Sequence, residues 1–321
     1  KVRVEVNRIA AEKKRTAMEF FGSHIRRLIT EVFNIFFDHD WIFWLIGMIN
    51  KKIRIIESIF LVYPANDDYD EAYAYSWRSR WHYWKPGLIG IFWQSGKIGV
   101  KFAISAHNGD FKNPQNQEKL KEVAARMEKL RKLFGADRKT FAGILPGVLL
   151  AKRILRENYE TEITVRAILQ AMEQVIEVQR LPKTVPIIVL GARGFFGRRV
   201  VKALHGKIVY SVDISGNGDS AFSWPAHLRG ERVILLNIAA YSALDEYITH
   251  FWPGIVVVNE VYPEPSEETE NRLKEAGCPC YHIVGVKGGA FPSFPHGYYG
   301  GIPCCAAWPS KDLEALVLEV D

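Results

Sequence analysis

Two groups of residues in this 321-residue chain have types and spacings suited to chemistry. The first is Gly191-Ala192-Arg193-Gly194-Phe195-Phe196-Gly197, with Asp213 placed 22 positions after the leading glycine. Glycines at this spacing let backbone approach a diphosphate. A helix beginning among them offers unpaired amides and the positive end of its dipole, and a carboxylate at Asp213 can hold ribose hydroxyls. The second group lies further on: Glu260, Tyr262, Lys287, Gly288, His296, Cys304 and Cys305. A thiolate from Cys304 or Cys305 can accept an acyl group. His296 can act as general acid to a carbonyl oxygen or activate a thiol. Glu260 and Tyr262 follow an apolar run, where open α/β sheets place their ligands, and Lys287-Gly288 can touch a cofactor or polarise a carbonyl. Each of these also has a plain structural reading, since free cysteine packs well in a core.

The glycine stretch needs a strand before it and a helix after it. Val185-Pro186-Ile187-Ile188-Val189-Leu190 reads as the strand, Arg198 to Leu204 as the helix, and Ile208 to Val212 as a second strand ending on Asp213. Val233 to Asn237, Ile255 to Asn259 and Tyr281 to Val284 read as further buried strands. Asn237 ends one of them and joins the expected cofactor-binding residues. The pattern is GxxGxxG rather than GxGxxG, and a tight strand-to-helix turn without a ligand would show the same residues. Asp213 favours NAD, because a carboxylate there repels a 2′-phosphate, and Ile214 to Asn217 add no base. Arg193, Arg198 and Arg199 keep NADP open.

Ahead of this region the patterning is mixed. Residues 9–37 read as an amphipathic helix striped by Phe21, Ile25, Leu28 and Val32, either packed on a core or forming a basic surface for a membrane or an acidic carrier. Ile53 to Tyr63 reads as a strand, and Leu88 to Trp93 and Ile98 to Ile104 as a pair around Gln94-Ser95-Gly96-Lys97. An aromatic block from Tyr73 to Trp93 is either core packing or the wall of an apolar substrate site. Residues 117–134 read as a helix stopped at Gly135, and 161–179 as another. Leu181-Pro182-Lys183 suggests a boundary. The expected organisation is an N-terminal α+β substrate or partner domain over 1–182, then a Rossmann-type doubly wound parallel sheet with a C-terminal helix over 183–321.

Composition bounds the class. The chain is 48% hydrophobic and 24% charged, with net charge +6, as in ordinary globular proteins. Residues 1–60 carry 11 Lys/Arg against 7 Asp/Glu, a mild preference for acidic partners or anionic surfaces. No zinc-finger spacing or long basic run argues for nucleic acid. Four cysteines, Cys278, Cys280, Cys304 and Cys305, do not form a secreted disulfide framework, and no metal site is expected from them. Asp38-His39-Asp40 reads as a solvated turn rather than a metal site. The greasiest stretch, Trp41 to Ile49, is too short to span a bilayer. A cytoplasmic location, with membrane-peripheral contact as an alternative, and a homo-oligomeric state complete the expectation.

The order of parts from about residue 125 to 320 resembles the long-chain acyl-carrier-protein reductases, distant relatives of glutamyl-tRNA reductase and shikimate dehydrogenase. Gly135-Ala136-Asp137 with Phe141 to Pro146, Tyr262-Pro263, Gly288-Gly289, and Cys304 or Cys305 before Ala306-Ala307 carry the resemblance. It implies NAD(P)-dependent reduction of an acyl thioester to an aldehyde, a cysteine nucleophile followed by a final helix, and an acyl-carrier protein as acidic partner. Two alternatives stay open: direct carbonyl or alcohol hydride transfer, and a non-catalytic nucleotide-binding module peripheral to a membrane.

Overall fold

A computed structural model describes residues 17–65, 70–71, 75, 82–156, 160–213, 223–239, 242–262, 264–294, 298 and 300–320. The protein is mixed α/β, with two sheets that both contain parallel strands. Its residues group into two compact units. Of the described residues, one comprises those of 164–285 and 314–320; the other comprises those of 17–163 and 286–313. The sequence expectation instead divides the chain once, at 182.

The N-terminal unit begins with helix α1 (Ala17–Val32), a π-helical turn (Phe33–Phe37) and helix α2 (Asp40–Ile53). Strands β1 (Ile56–Val62), β2 (Gly87–Gln94), β3 (Lys97–Ala103), β4 (Arg138–Phe141) and β10 (Gly289–Phe291) form its sheet in the order β10-β2-β3-β1-β4. The expected hairpin is present: β2 and β3 pair antiparallel through Gln94↔Lys97, with Ser95 and Gly96 in the left-handed region at the turn. Helix α3 (Asn108–Lys112) precedes α4 (Gln117–Phe134), whose Leu120, Val123, Met127, Leu130 and Phe134 stripe is buried. Gly135, at φ 62, caps α4, as the sequence predicts. The apolar loop at 141–147 runs into a short helix α5 (Leu145–Ala151). Phe43, Phe102 and Phe134 meet in the core beneath α2.

Two asparagines fasten the N-terminal helices to this unit. Asn50 accepts from the Ile56 amide at 2.8 Å, and its own amide group faces the carbonyls of Ile56, Phe134 and Gly135 at 2.9–3.1 Å. Asn34 donates to the carbonyls of Thr30 and Leu88, both at 2.8 Å. Gly47 lets α2 lie against α4, because a Cβ there would stand 1.8 Å from the Leu133 carbonyl oxygen. In the same unit, fully buried Lys101 donates to the Pro292 carbonyl and lies 4.4 Å from the Phe294 ring centre. Burial and the Arg26 charge hold its ammonium well below the usual lysine range.

The second unit is built on a parallel sheet. Helix α6 (Glu160–Val178) leads into it from residue 164. Strand β5 (Ile187–Leu190), helix α7 (Phe195–Ala203), β6 (Val209–Val212), β7 (Val233–Asn237), helix α8 (Ala243–Tyr247), β8 (Ile255–Asn259), helix α9 (Glu267–Glu275) and β9 (Cys280–Lys287) follow in turn. The strands lie in the order β6-β5-β7-β8-β9, all parallel. All residues of β5, β7 and β8 are buried, which explains their unbroken apolar runs. Ser266 caps α9 by accepting from the Thr269 amide. The last two residues of β9 belong to the N-terminal unit, where they pair with β11 (Gly301–Ile302).

One expectation fails outright. The chain ends not in a helix but in strand β12 (Ala315–Val320), which pairs with β9. Leu316-Val317-Leu318 is too short an apolar run for periodicity to decide between helix and strand, so a non-local partner settles it. The 9–37 helix is described from Ala17; its first residues, and most of the aromatic block between Tyr73 and Trp81, lie outside the described residues.

Candidate functional site

Strand β5 ends on Leu190, and the chain turns sharply at Gly191, whose φ of 89 no side chain adopts easily. The Gly191 and Ala192 amides donate to the Val212 carbonyl at 2.8 and 3.1 Å, tying the turn to the end of β6. A Cβ on Gly191 would stand 2.7 Å from Ala239 Cα, and one on Gly197 would stand 2.0 Å from the Gly191 carbonyl oxygen. Gly194 is the N-cap of α7, with extended backbone and no side chain capping the helix. The glycines therefore have separate jobs: Gly191 makes the turn, Gly194 leaves the helix end uncovered, and Gly197 brings α7 onto the turn.

Asp213 lies where the spacing places it. Its carboxylate accepts from the Arg193 amide at 2.9 Å, closing the loop across the ends of β5 and β6. Phe195 and Phe196 flank the helix start with rings 5.1 Å apart. Arg199 covers the Phe195 ring at 3.9 Å and donates to the Phe195 carbonyl. Burial, and then the neighbouring Arg198, lowers the Arg199 guanidinium from its ordinary range.

Alongside runs a polar row that no single segment of the sequence reveals. Strand register places Val212, Leu190, Asn237, Asn259 and His282 side by side across the sheet. Asn237 accepts from the Ala239 amide and donates to Asn259 Oδ1 at 2.7 Å. Asn259 in turn donates to the Val261 carbonyl and meets His282 Nδ1, each at 3.0 Å. The backbone groups at the two ends fix both amide orientations, so the Asn259 amide nitrogen is the atom facing His282 Nδ1. Nε2 is buried and has no hydrogen-bond partner among the described residues. Burial pushes the imidazole down to about 4, against smaller upward pulls from Glu264 and the Asn259 backbone. The ring of Tyr262 lies 4.8 Å from that of His282, and its hydroxyl donates to the Ile283 carbonyl.

Glu260 follows β8 at the same edge, its amide donating to the Asn237 carbonyl. Burial pushes its carboxyl up to about 8. A carboxyl raised above its unfolded value holds a proton that the unfolded chain releases, so its contribution to stability falls as pH rises from 4.5 towards 8. Glu260→Gln is expected to raise stability at pH 8 by about 2 kcal/mol, reduced for the part of the side chain left at the surface, with little change at pH 4.5. Urea midpoints at the two pH values check this; equal shifts at both would refute it.

The remaining expected residues that the structure describes lie in the other unit. Cys304 is buried and Cys305 half-buried in a 3-10 turn after Pro303. The Cys305 thiol adds to the burial that raises the Tyr63 hydroxyl above its ordinary range. Gly288 serves close packing, since a Cβ would meet the Trp93 carbonyl oxygen at 2.8 Å, and Lys287 pairs with Gly301. His296 lies outside the described residues. Among the described residues no cluster of metal-ligating side chains forms. Asp40 instead binds Arg126 and Lys129, each at 2.7 Å.

No protein-family model matches the chain, and neither does any curated protein. A solved structure that overlaps it comes from a Bacteroides fragilis protein assigned to the LacI transcriptional regulators. That overlap covers 82% of this chain and 96% of the other, at 10% identity and a TM-score of 0.32. The resemblance to acyl-carrier-protein reductases is corrected accordingly. The final helix of that family is a strand here. The oxidoreductase reading that rested on the resemblance falls with it.

Proposed function

We infer that the unit of residues 164–285 binds a nucleotide cofactor of the NAD class, in a Rossmann-type arrangement. What carries the reading is the Asp213 carboxylate bonded to the Arg193 amide beside an uncapped helix start. In such a site the α7 amides take a diphosphate, while the Asp213 carboxylate takes a ribose hydroxyl. Strand order supports it, because the connection from β5 runs to β6 on one side while that from β7 runs to β8 on the other, and open α/β sheets bind ligands at such a reversal. The residues fit a diphosphate sterically as well: side chains at Gly191 or Gly197 would collide with backbone, and Gly194 is exposed. This is a binding function, and no redox step is part of it.

Titration calorimetry with NADH and NADPH tests the reading. NADH is expected to bind more tightly than NADPH. Gly194→Asp sets a carboxylate against the diphosphate and is expected to weaken NADH by roughly tenfold or more, with the circular dichroism spectrum unchanged. Absence of heat with NADH at roughly millimolar concentration would remove the proposal.

A further inference from the structure

Exposed large apolar side chains are concentrated at one place in the described structure. Of 15 such residues, 12 fall between Ile25 and Ile53, on α1, the π-helical turn and α2. Trp41 is 63% exposed, Phe36 62% and Ile49 59%. Patches of this kind on a folded surface mark an interaction site. The other face of α2 is committed: Phe43, Gly47 and Asn50 are buried, and Asp40 is held by Arg126 and Lys129 of α4. The outward face is thus a fixed surface.

We propose that this face docks on an anionic lipid bilayer, lying in its interfacial layer. Charge complementarity selects this occupant. Lys51 and Lys52 end α2 and are exposed, with Arg54 just beyond. Lys51 also lines a groove of about 420 Å³ with Trp44 and Met48, on whose far side Lys132 and Lys129 are paired with Glu128 and Asp40, so the unspent positive charge lies at the end of α2. A second copy of the same face would bring these cations against their like, whereas anionic headgroups neutralise them. Trp41 and Trp44 are the side chains that settle at headgroup depth. Spanning is a poor fit. No single described helix is long and apolar enough to cross a membrane, and the two segments Ser23–Phe37 and Asp40–Ile53, which pass by length and composition together, are bent by 86°. Asn50 and Gly47 also hold α2 to a packed core, so it cannot be surrounded by lipid.

Co-sedimentation of the full chain with vesicles tests this. Binding is expected to phosphatidylcholine vesicles containing phosphatidylserine, and not to phosphatidylcholine alone. Lys51→Glu with Lys52→Glu is expected to weaken it by roughly 30-fold or more. Trp41→Ser, Trp44→Ser and Ile49→Ser together are expected to abolish it while the circular dichroism spectrum is retained. Three results would overturn the proposal: no binding to the anionic vesicles, binding that both variants leave intact, or a lipid-free dimer that the serine variant splits, which would assign the face to a second copy.

Discussion

Gly197→Ala is expected to cost about 3 kcal/mol of stability, at the upper end of overpacking penalties. The reason is geometric. A methyl group at 197 would stand 2.0 Å from the Gly191 carbonyl oxygen and 2.9 Å from Ala192 Cα, and both obstacles are backbone. No rotamer change relieves such a collision; α7 must move off the turn. Alanine's better helix propensity returns only about 1 kcal/mol. Gly194→Ala is the internal control. Its nearest obstacle is the same oxygen at 3.0 Å, and its φ of −62 suits any residue. Urea unfolding should therefore separate the two variants clearly. Similar midpoints would show that α7 does not pack on the turn as described. Under the nucleotide reading, Gly197→Ala also loses NADH, because a displaced α7 no longer aims its amides at the loop closed by Asp213.

The arrangement of these glycines is partly legible in the order of residues alone. Strand, glycine turn, helix, strand and acid follow one another within thirty residues, so local pattern places β5, α7, β6 and Asp213. Helix α4 is equally legible, since five apolar residues at helical spacing end on a glycine. What the sequence hides is non-local. Asn237, Asn259 and His282 are dispersed along the chain, and nothing in any one segment says that they share a row. Register between parallel strands decides it, and register is set by packing of whole faces. Two apolar strands that each end in asparagine are the only signal. The same limit explains β12, whose identity depends on β9, and the outward stripe of α1 and α2. Periodicity shows that a face is apolar, not that the protein leaves it uncovered.

The buried row makes stability depend on pH in a stated direction. His282 is pushed down to about 4, from an ordinary value of 6.5. Between those values the unfolded chain binds a proton that the folded chain refuses, so stability rises with pH across the window and is lost as pH falls from 6.5 to 4. The full shift corresponds to about 3 kcal/mol. Burial of the ring sustains it, against smaller upward pulls from Glu264 and the Asn259 backbone. His282→Gln keeps an acceptor for Asn259 and removes the titration. The difference in stability between the native protein and this variant is expected to change by about 3 kcal/mol from pH 7 to pH 4, with the native protein losing more. Glu260 acts oppositely, and it cancels because both proteins carry it. Parallel curves for the two proteins would mean that the imidazole charges without penalty, and that the Asn237–Asn259–His282 row is open to water.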